Sequence, residues 1–253
     1  WRALRSGGHT RWPTVLFAAY AVIWISLAIA PRFRQDWLLE NLLVFFALPW
    51  LWNKWRVQPF SDAAYLCLFV FFTLHALGAH YTYSEVPYDA WWRTLTGHSF
   101  NAMVGWDRNN YDRIVHAAYG LLVAPAAIEL LDRFSTPRGL WLWLLPWTYL
   151  LSHSVIYELV EWAAALVFGG DLGAAYLGTQ GDPWDAQKDM AMAGIGAAIA
   201  MWVTLKINQH WQRDFNREWS ESLRVKQWEP PGETVPATGS GWTCPDAAPI
   251  RPP

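Results

Sequence analysis

The chain has 253 residues, 53% of them hydrophobic and only 16% charged, with 20 tryptophans and a formal net charge of −2. That net charge by itself says nothing about nucleic acid, and no basic run points to a nucleic-acid partner. The apolar residues gather into runs of roughly the length that crosses a bilayer core, about 17–25 residues, with Trp and Tyr at their ends.

In chain order these runs predict an all-α, polytopic transmembrane helix bundle of about six spans, with both termini cytoplasmic. The first run, VLFAAYAVIWISLAIA, ends in a small-x-small triplet like that of a cleaved signal. Pro31 follows directly and the run exceeds a typical signal core, so it is read as a retained helix over 13–30. The second span, 37–52, is short and carries Glu40 and Asn41. The third covers 63–80, the fourth 111–131 and the fifth 140–168. Pro125 and Pro146 fall inside the last two, where membrane helices tolerate kinks. The fifth is long enough to tilt or to protrude. The sixth covers 186–205, closing a transmembrane domain over 1–205.

Beyond it, residues 206–228 place Ile207, Trp211, Phe215, Trp219 and Leu223 on one helical face, as expected of a helix lying along a membrane surface. A continuation of the sixth span is the alternative. The Pro-, Gly- and Thr-rich stretch 229–253 reads as a disordered cytoplasmic tail. Cys67, inside an apolar run, and Cys244, in this tail, form no disulfide framework.

Lys and Arg set the orientation. One side collects Arg2, Arg5, Arg11, Lys54, Arg56, Arg133, Arg138, Lys206, Arg213, Arg217, Arg224 and Lys226. The other holds Arg32, Arg34, Arg93 and Arg108, with Arg113 and Lys188 at helix mouths. The loops around 81–110 and 169–184 are therefore expected to face outward.

The polar groups then sort to that outer side. Span three ends with His75 and His80, followed by Glu85 and Asp89. Span four opens with Asp112 and His116 at i and i+4 on one face. Span five carries His153, Glu158 and Glu161 towards its end. Span six opens behind Asp182 with Asp185 and Asp189, again i and i+4, and Lys188 between them. Charges at a membrane mouth are costly, so four helices bringing ionisable residues to one level point to a shared site.

Carboxylate-rich bundles hold metal ions with inward side chains at this spacing. His116, Glu158, Glu161 and Asp185 are the candidate ligands of a divalent metal. Zn, Mn, Mg and non-haem Fe all suit such a set, and the sequence does not choose among them. Glu158, Asp185, Asp112 and Asp189 are the candidate catalytic groups, as acid, base or orienting carboxylates. His75, His80, Glu85, Asp89, Asp182 and Lys188 form an additional polar set. The competing structural reading makes Asp112 and Asp185 helix caps and pairs the acids with Arg93, Arg108, Arg113 and Lys188. His153 alone reads as an interfacial hydrogen-bonding group. The glycines of GGDLGAAYLGTQGD make no phosphate loop, lacking its lysine and strand–loop–helix setting, but would let an outer loop fold tightly as a lid. GIGAAIA in span six is a small-residue face made for close helix packing.

Read together, GAHYTYSEVPYD, NNYDRIVHAAYGLLVAP and YELVEWAAALVFGGDLGAAYLGTQGDPWDAQKDM resemble the YjdF-type family of bacterial inner-membrane proteins, over roughly 37–205. The resemblance implies a multi-pass protein of the bacterial inner membrane and brings no activity with it. A fainter similarity runs to the VanZ-like membrane proteins, linked to glycopeptide resistance. Their Asp, His and Tyr near one helix start match Asp112, His116 and Tyr119, and a Glu on the next helix matches Glu158 or Glu161. Their final helix opens with Asp and then usually Asn four residues on, where this chain has Asp185 and Asp189.

Three functions stay open at this point. One is an enzyme acting on an amphiphile, a lipid or lipid-linked precursor, at an outward-facing site. The second is a scaffold or accessory subunit that docks a membrane-protein partner. The third, a transporter, lacks the expected internal repeats and midplane charges. The lipid bilayer is a partner under all three.

Overall fold

The computed structural model describes residues 11–211 apart from 136, 138, 171, 172, 174–176 and 178, with side chains as far as residue 207. The helices are α1 (Trp12–Ala28), α2 (Arg34–Glu40), α3 (Leu42–Val57), α4 (Asp62–His80), α5 (Tyr88–Thr96), α6 (Phe100–Val104), α7 (Tyr111–Phe134), α8 (Leu140–Phe168) and α9 (Asp185–Trp211). Among the described residues there is no strand. By length and composition four of these helices can cross a membrane, namely α4, α7, α8 and α9 as far as Ile207, and α1 is a shorter apolar helix. The predicted all-helical membrane bundle is what forms.

The heart of the bundle is the pair α7 and α9, pressed backbone to backbone. A Cβ on Gly120 would lie 2.0 Å from the Ala193 carbonyl oxygen, and one on Gly196 would lie 2.1 Å from that of Ala117. No side chain fits there, so the small residues of GIGAAIA are a packing face, as their composition predicted. Ala124, Ala127, Ala197 and Met201 continue the contact, with Leu150 of α8 closing over it. In hydrocarbon such a seam is held by dispersion between closely fitted surfaces rather than by the hydrophobic effect. On its other side α7 packs against α4, and α1 packs against the far face of α4 around Tyr20, Leu68 and Phe72.

Polar ties close both ends. At the basic end, Arg133 donates to the carbonyls of Gln58 and Pro59, 2.5 Å each, and the Ser61 N–H donates to Glu129 at 2.9 Å. At the other end, the Arg32 N–H donates to the His80 carbonyl at 2.9 Å, and the His80 ring meets the Leu27 carbonyl at 2.7 Å. Lys54, Arg56, Arg133 and Lys206 lie toward the first end, and the acidic residues gather toward the second.

Three features differ from the sequence reading. The second span is split: α2 ends at Glu40, Asn41 makes a turn, and α3 runs on to Val57. The two polar residues that interrupt the run turn inward. Asn41, fully buried, accepts from the Trp24 indole at 2.5 Å, and Glu40 accepts from Tyr157 at 3.0 Å. The segment 81–110 contains two short helices, locked together by Asp89, which accepts from the Ser99 hydroxyl and from the Asn101 N–H, both at 2.9 Å. The Asn101 N–H first, then Ser99 and Arg93, hold this carboxyl below the ordinary carboxylate range. Finally, α9 continues unbroken to Trp211. The rest of the expected surface helix, the tail and part of the glycine-rich lid lie outside the described residues.

Candidate functional site

Asp112 and His116 sit one turn apart in the first turns of α7, and Asp185 and Asp189 likewise open α9. Because Gly120 and Gly196 bring these helices into backbone contact just beyond, the two pairs must face each other. Asp112, Asp185 and Asp189 each offer an oxygen, all within 4.8 Å of one another. The third wall is α8, which contributes from its middle rather than its end. Glu158 Oε1 lies 3.3 Å from His116 Nε2, which is 3.5 Å from Asp112 Oδ1. One turn further, Glu161 is buried.

So many acids need cations. At an effective dielectric of about 20, two like charges about 5 Å apart repel by about 3 kcal/mol. Arg108 and Arg113 both bond Asp185, Arg113 at 3.0 Å. Arg113 also reaches Asp182 at 2.7 Å, and Lys188 meets the same carboxylate at 2.6 Å. The Lys188 ammonium first, then the Trp184 N–H and Arg113, hold Asp182 far below the ordinary carboxylate range. This outer half of the cluster is a closed ion-pair network, as the structural reading of the sequence allowed.

The inner half is not closed. Six carboxylates (Asp112, Glu158, Glu161, Asp182, Asp185 and Asp189) stand against three cations (Arg108, Arg113 and Lys188), leaving negative charge to be balanced by protons or by a further cation. Glu158 Oε1 and Asp189 Oδ1 are shielded from water, and neither accepts a hydrogen bond, the His116 Nε2 that lies 3.3 Å from Glu158 making an ion-pair contact without hydrogen-bond geometry. Arg113 Nε approaches Asp189 only to 3.9 Å. Beside them is a cavity of about 270 Å³ lined by Asp112, Glu158, Glu161, Asp185 and Asp189 together with Thr179. Buried acceptors without donors, converging on one space, are ready-made ligands for a cation or for donor groups of a substrate.

The structure thus brings together Asp112, His116, Glu158, Glu161, Asp182, Asp185, Lys188 and Asp189. It sends the other predicted residues elsewhere. His75 is buried between the Glu40 carbonyl at 3.1 Å and the Tyr83 hydroxyl at 2.5 Å. His80 ties α4 to α1, Glu85 pairs with Arg32 at 2.6 Å, and Asp89 locks α5 to α6. His153 is exposed and meets its own helix at the Tyr149 carbonyl. The sequence reading missed two contributors. Glu40 reads in the sequence only as an interruption of a span, and nothing there singles out Tyr157; their hydrogen bond joins α2 to α8 beside the site. A charged residue inside an apolar run was the available signal for Glu40.

The chain matches the family described as "Predicted membrane protein (DUF2238)" over residues 12–210. It is 34% identical over 177 residues to the inner membrane protein YjdF of Escherichia coli (strain K12), covering 70% of this chain and 80% of that relative. No solved structure matches it. The similarity to VanZ-like proteins rests on the short motifs alone. With four helices fit to span a bilayer, a family match across nearly all its described residues and an inner-membrane relative, the chain is a multi-pass inner-membrane protein that belongs to the DUF2238 family.

Proposed function

We propose that the inner half of the acidic cluster binds a divalent cation and acts on an amphiphilic, lipid or lipid-linked molecule at the extracytoplasmic face. The observation that carries this reading is the pair of buried acceptors without donors, Glu158 Oε1 and Asp189 Oδ1, beside Asp112 and His116. The lysines and arginines at the opposite end support an outward-facing site, because such residues favour the cytoplasmic side. Asp112, Asp189 and Glu158 supply the oxygens and His116 the nitrogen. Asp185, bonded by two guanidinium groups, positions them, with Glu161 behind. A cation held there would polarise a substrate oxygen or acidify bound water. Glu158 and His116, in contact, are placed to carry a proton.

The scaffold reading keeps a share of the site. Arg108, Arg113 and Lys188 already satisfy Asp182 and Asp185, so these two acids fasten the outer ends of α7 and α9 and the loop before α9. A role as docking subunit for another membrane protein would need no metal.

Binding of Mn²⁺ to the purified chain, followed by electron paramagnetic resonance, separates the two. We expect one site that is lost in Asp189→Asn and Glu158→Gln and kept in Asp182→Asn. Equal binding, or equal lack of it, in all four proteins would sink the metal reading and leave the scaffold.

A further inference from the structure

Behind the wall formed by Asp112, His116 and Tyr157 the bundle is not closed. α8 packs on α7 and α9, while α3 packs on α2, and between α3 and α8 runs a groove floored by α4 and α7. It consists of two chambers, of about 430 and 310 Å³, which share Leu43, Phe71, Tyr119 and His153. The first begins at the polar wall, beside Glu40, Asp112 and His116. The second descends past Val123 to Leu130, Trp50 and Phe60, near the basic end. From Val115 to Leu130 along α7 is a run of about 22 Å at about 1.5 Å per residue, past the middle of a bilayer core of about 30 Å.

Both rims are exposed. On α3 Phe46 is 77% exposed, and on α8 Ile156 is 56% exposed. The lower chamber is walled by aliphatic and aromatic side chains apart from His153, the upper one also carries Glu40, His75, Asp112, His116 and Ser154, and no lysine or arginine lines either chamber. Apart from His153, which borders both chambers, and the tyrosine hydroxyls, the polar side chains gather at the upper end. There Glu40 and Asp112 offer acceptors, and the buried Ser154 hydroxyl has no hydrogen-bond partner. A long slot that opens sideways, with carboxylate acceptors at one end and no lysine or arginine to meet an anion, defines its own ligand.

We propose that this groove takes the hydrocarbon chain of a long-chain amphiphile, entering laterally between α3 and α8. Its head, an alcohol or an amine rather than a free phosphate, lies against Glu40, Asp112 and Ser154. This rests on the site reading above and names the substrate class for it: the head stops at the wall that Asp112 shares between the groove and the acidic cavity.

The test is photolabelling of the full chain in phosphatidylcholine nanodiscs with hexadecanol, hexadecylamine and hexadecyl phosphate, each carrying a mid-chain diazirine, in the presence of a chelator. Labelled peptides are mapped by mass spectrometry. We expect the alcohol and the amine to label the groove at Ala47, Val123 and Leu130, and the phosphate to label only lipid-facing positions such as Val22 and Ile199. Ala47→Trp, and separately Leu43→Trp on the rim, should lower groove labelling about tenfold, with the melting temperature of each variant recorded as a check on folding. Labelling spread evenly over lipid-facing helices, groove labelling by the phosphate equal to that by the others, or no change in either blocked variant would overturn the proposal. Because a chelator is present throughout, groove labelling beside absent Mn²⁺ binding would remove the metal reading and keep the groove. Mn²⁺ binding without groove labelling would do the reverse.

Discussion

Replacing Gly196 with Ala adds one methyl group at the tightest point of the bundle. Its carbon would lie 2.1 Å from the Ala117 carbonyl oxygen and 3.1 Å from the Leu121 nitrogen, both backbone atoms that no rotamer change can move. Reaching ordinary contact requires α7 and α9 to part by about 1.3 Å, and overpacking of this kind costs about 1–3 kcal/mol. The better helix propensity of Ala returns at most about 1 kcal/mol. We expect a net loss of about 1–2 kcal/mol. Gly194, two residues away on the same helix, provides the control. A methyl group there meets only the Leu151 side chain, at an ordinary 3.5 Å, so Gly194→Ala should be neutral or slightly stabilising. Unfolding of the purified proteins in mixed micelles with increasing dodecyl sulfate reads both. If Gly196→Ala proves as stable as Gly194→Ala, the backbone contact between α7 and α9 is wrong, and with it the reason that Asp112 faces Asp185 and Asp189.

Other expectations follow from the same contacts. Arg113→Gln strips a buried partner from Asp182 and Asp185 and should cost about 3 kcal/mol, whereas Lys188→Gln, half exposed, should cost under about 1 kcal/mol; the same titration checks both, and equal effects would contradict the division into network and surface pair. Gly78→Ala should destabilise the segment 81–110, because the new methyl group would sit 2.7 Å from the Tyr83 ring, which cannot retreat while its hydroxyl holds His75; unchanged hydrogen exchange across 81–87 would refute this. Asp89 titrates below its unfolded value of about 3.9, so its contribution is complete above that pH and is lost as pH falls through the lower, folded value. Amide protection in α5 and α6 should therefore hold from neutral pH to about 4 and decline only below it, and a decline between pH 7 and 5 would show that Asp89 is not the lock.

The long spans were legible because their signals are local. Ser61 caps α4, accepting from the Ala64 N–H, and Gly139 and Gly169 bracket α8 with positive φ. The i, i+4 spacing likewise announced the pairs Asp112–His116 and Asp185–Asp189. What stayed hidden depends on tertiary contact. No local pattern shows that Arg108, from an outer turn, reaches Asp185, or that His75 is claimed by Tyr83 and the Glu40 carbonyl. Tyr83 gets there through an unusual turn: Thr82 and Tyr83 both adopt positive φ, which folds the chain back over Gly78. The α5–α6 pair escaped because each helix is short and the lock between them is a single carboxylate meeting Ser99 and Asn101.

The most direct measurement is elemental analysis of the purified, detergent-solubilised chain, wild type beside Glu158→Gln and His116→Ala, after supplementation with Zn, Mn, Mg and Fe. A near-stoichiometric metal in wild type that is lost from both variants is the expected result. Wild type without metal, or metal that persists in both variants, would contradict a cation site in the inner half of the cluster and leave the acids as fasteners of the helix ends.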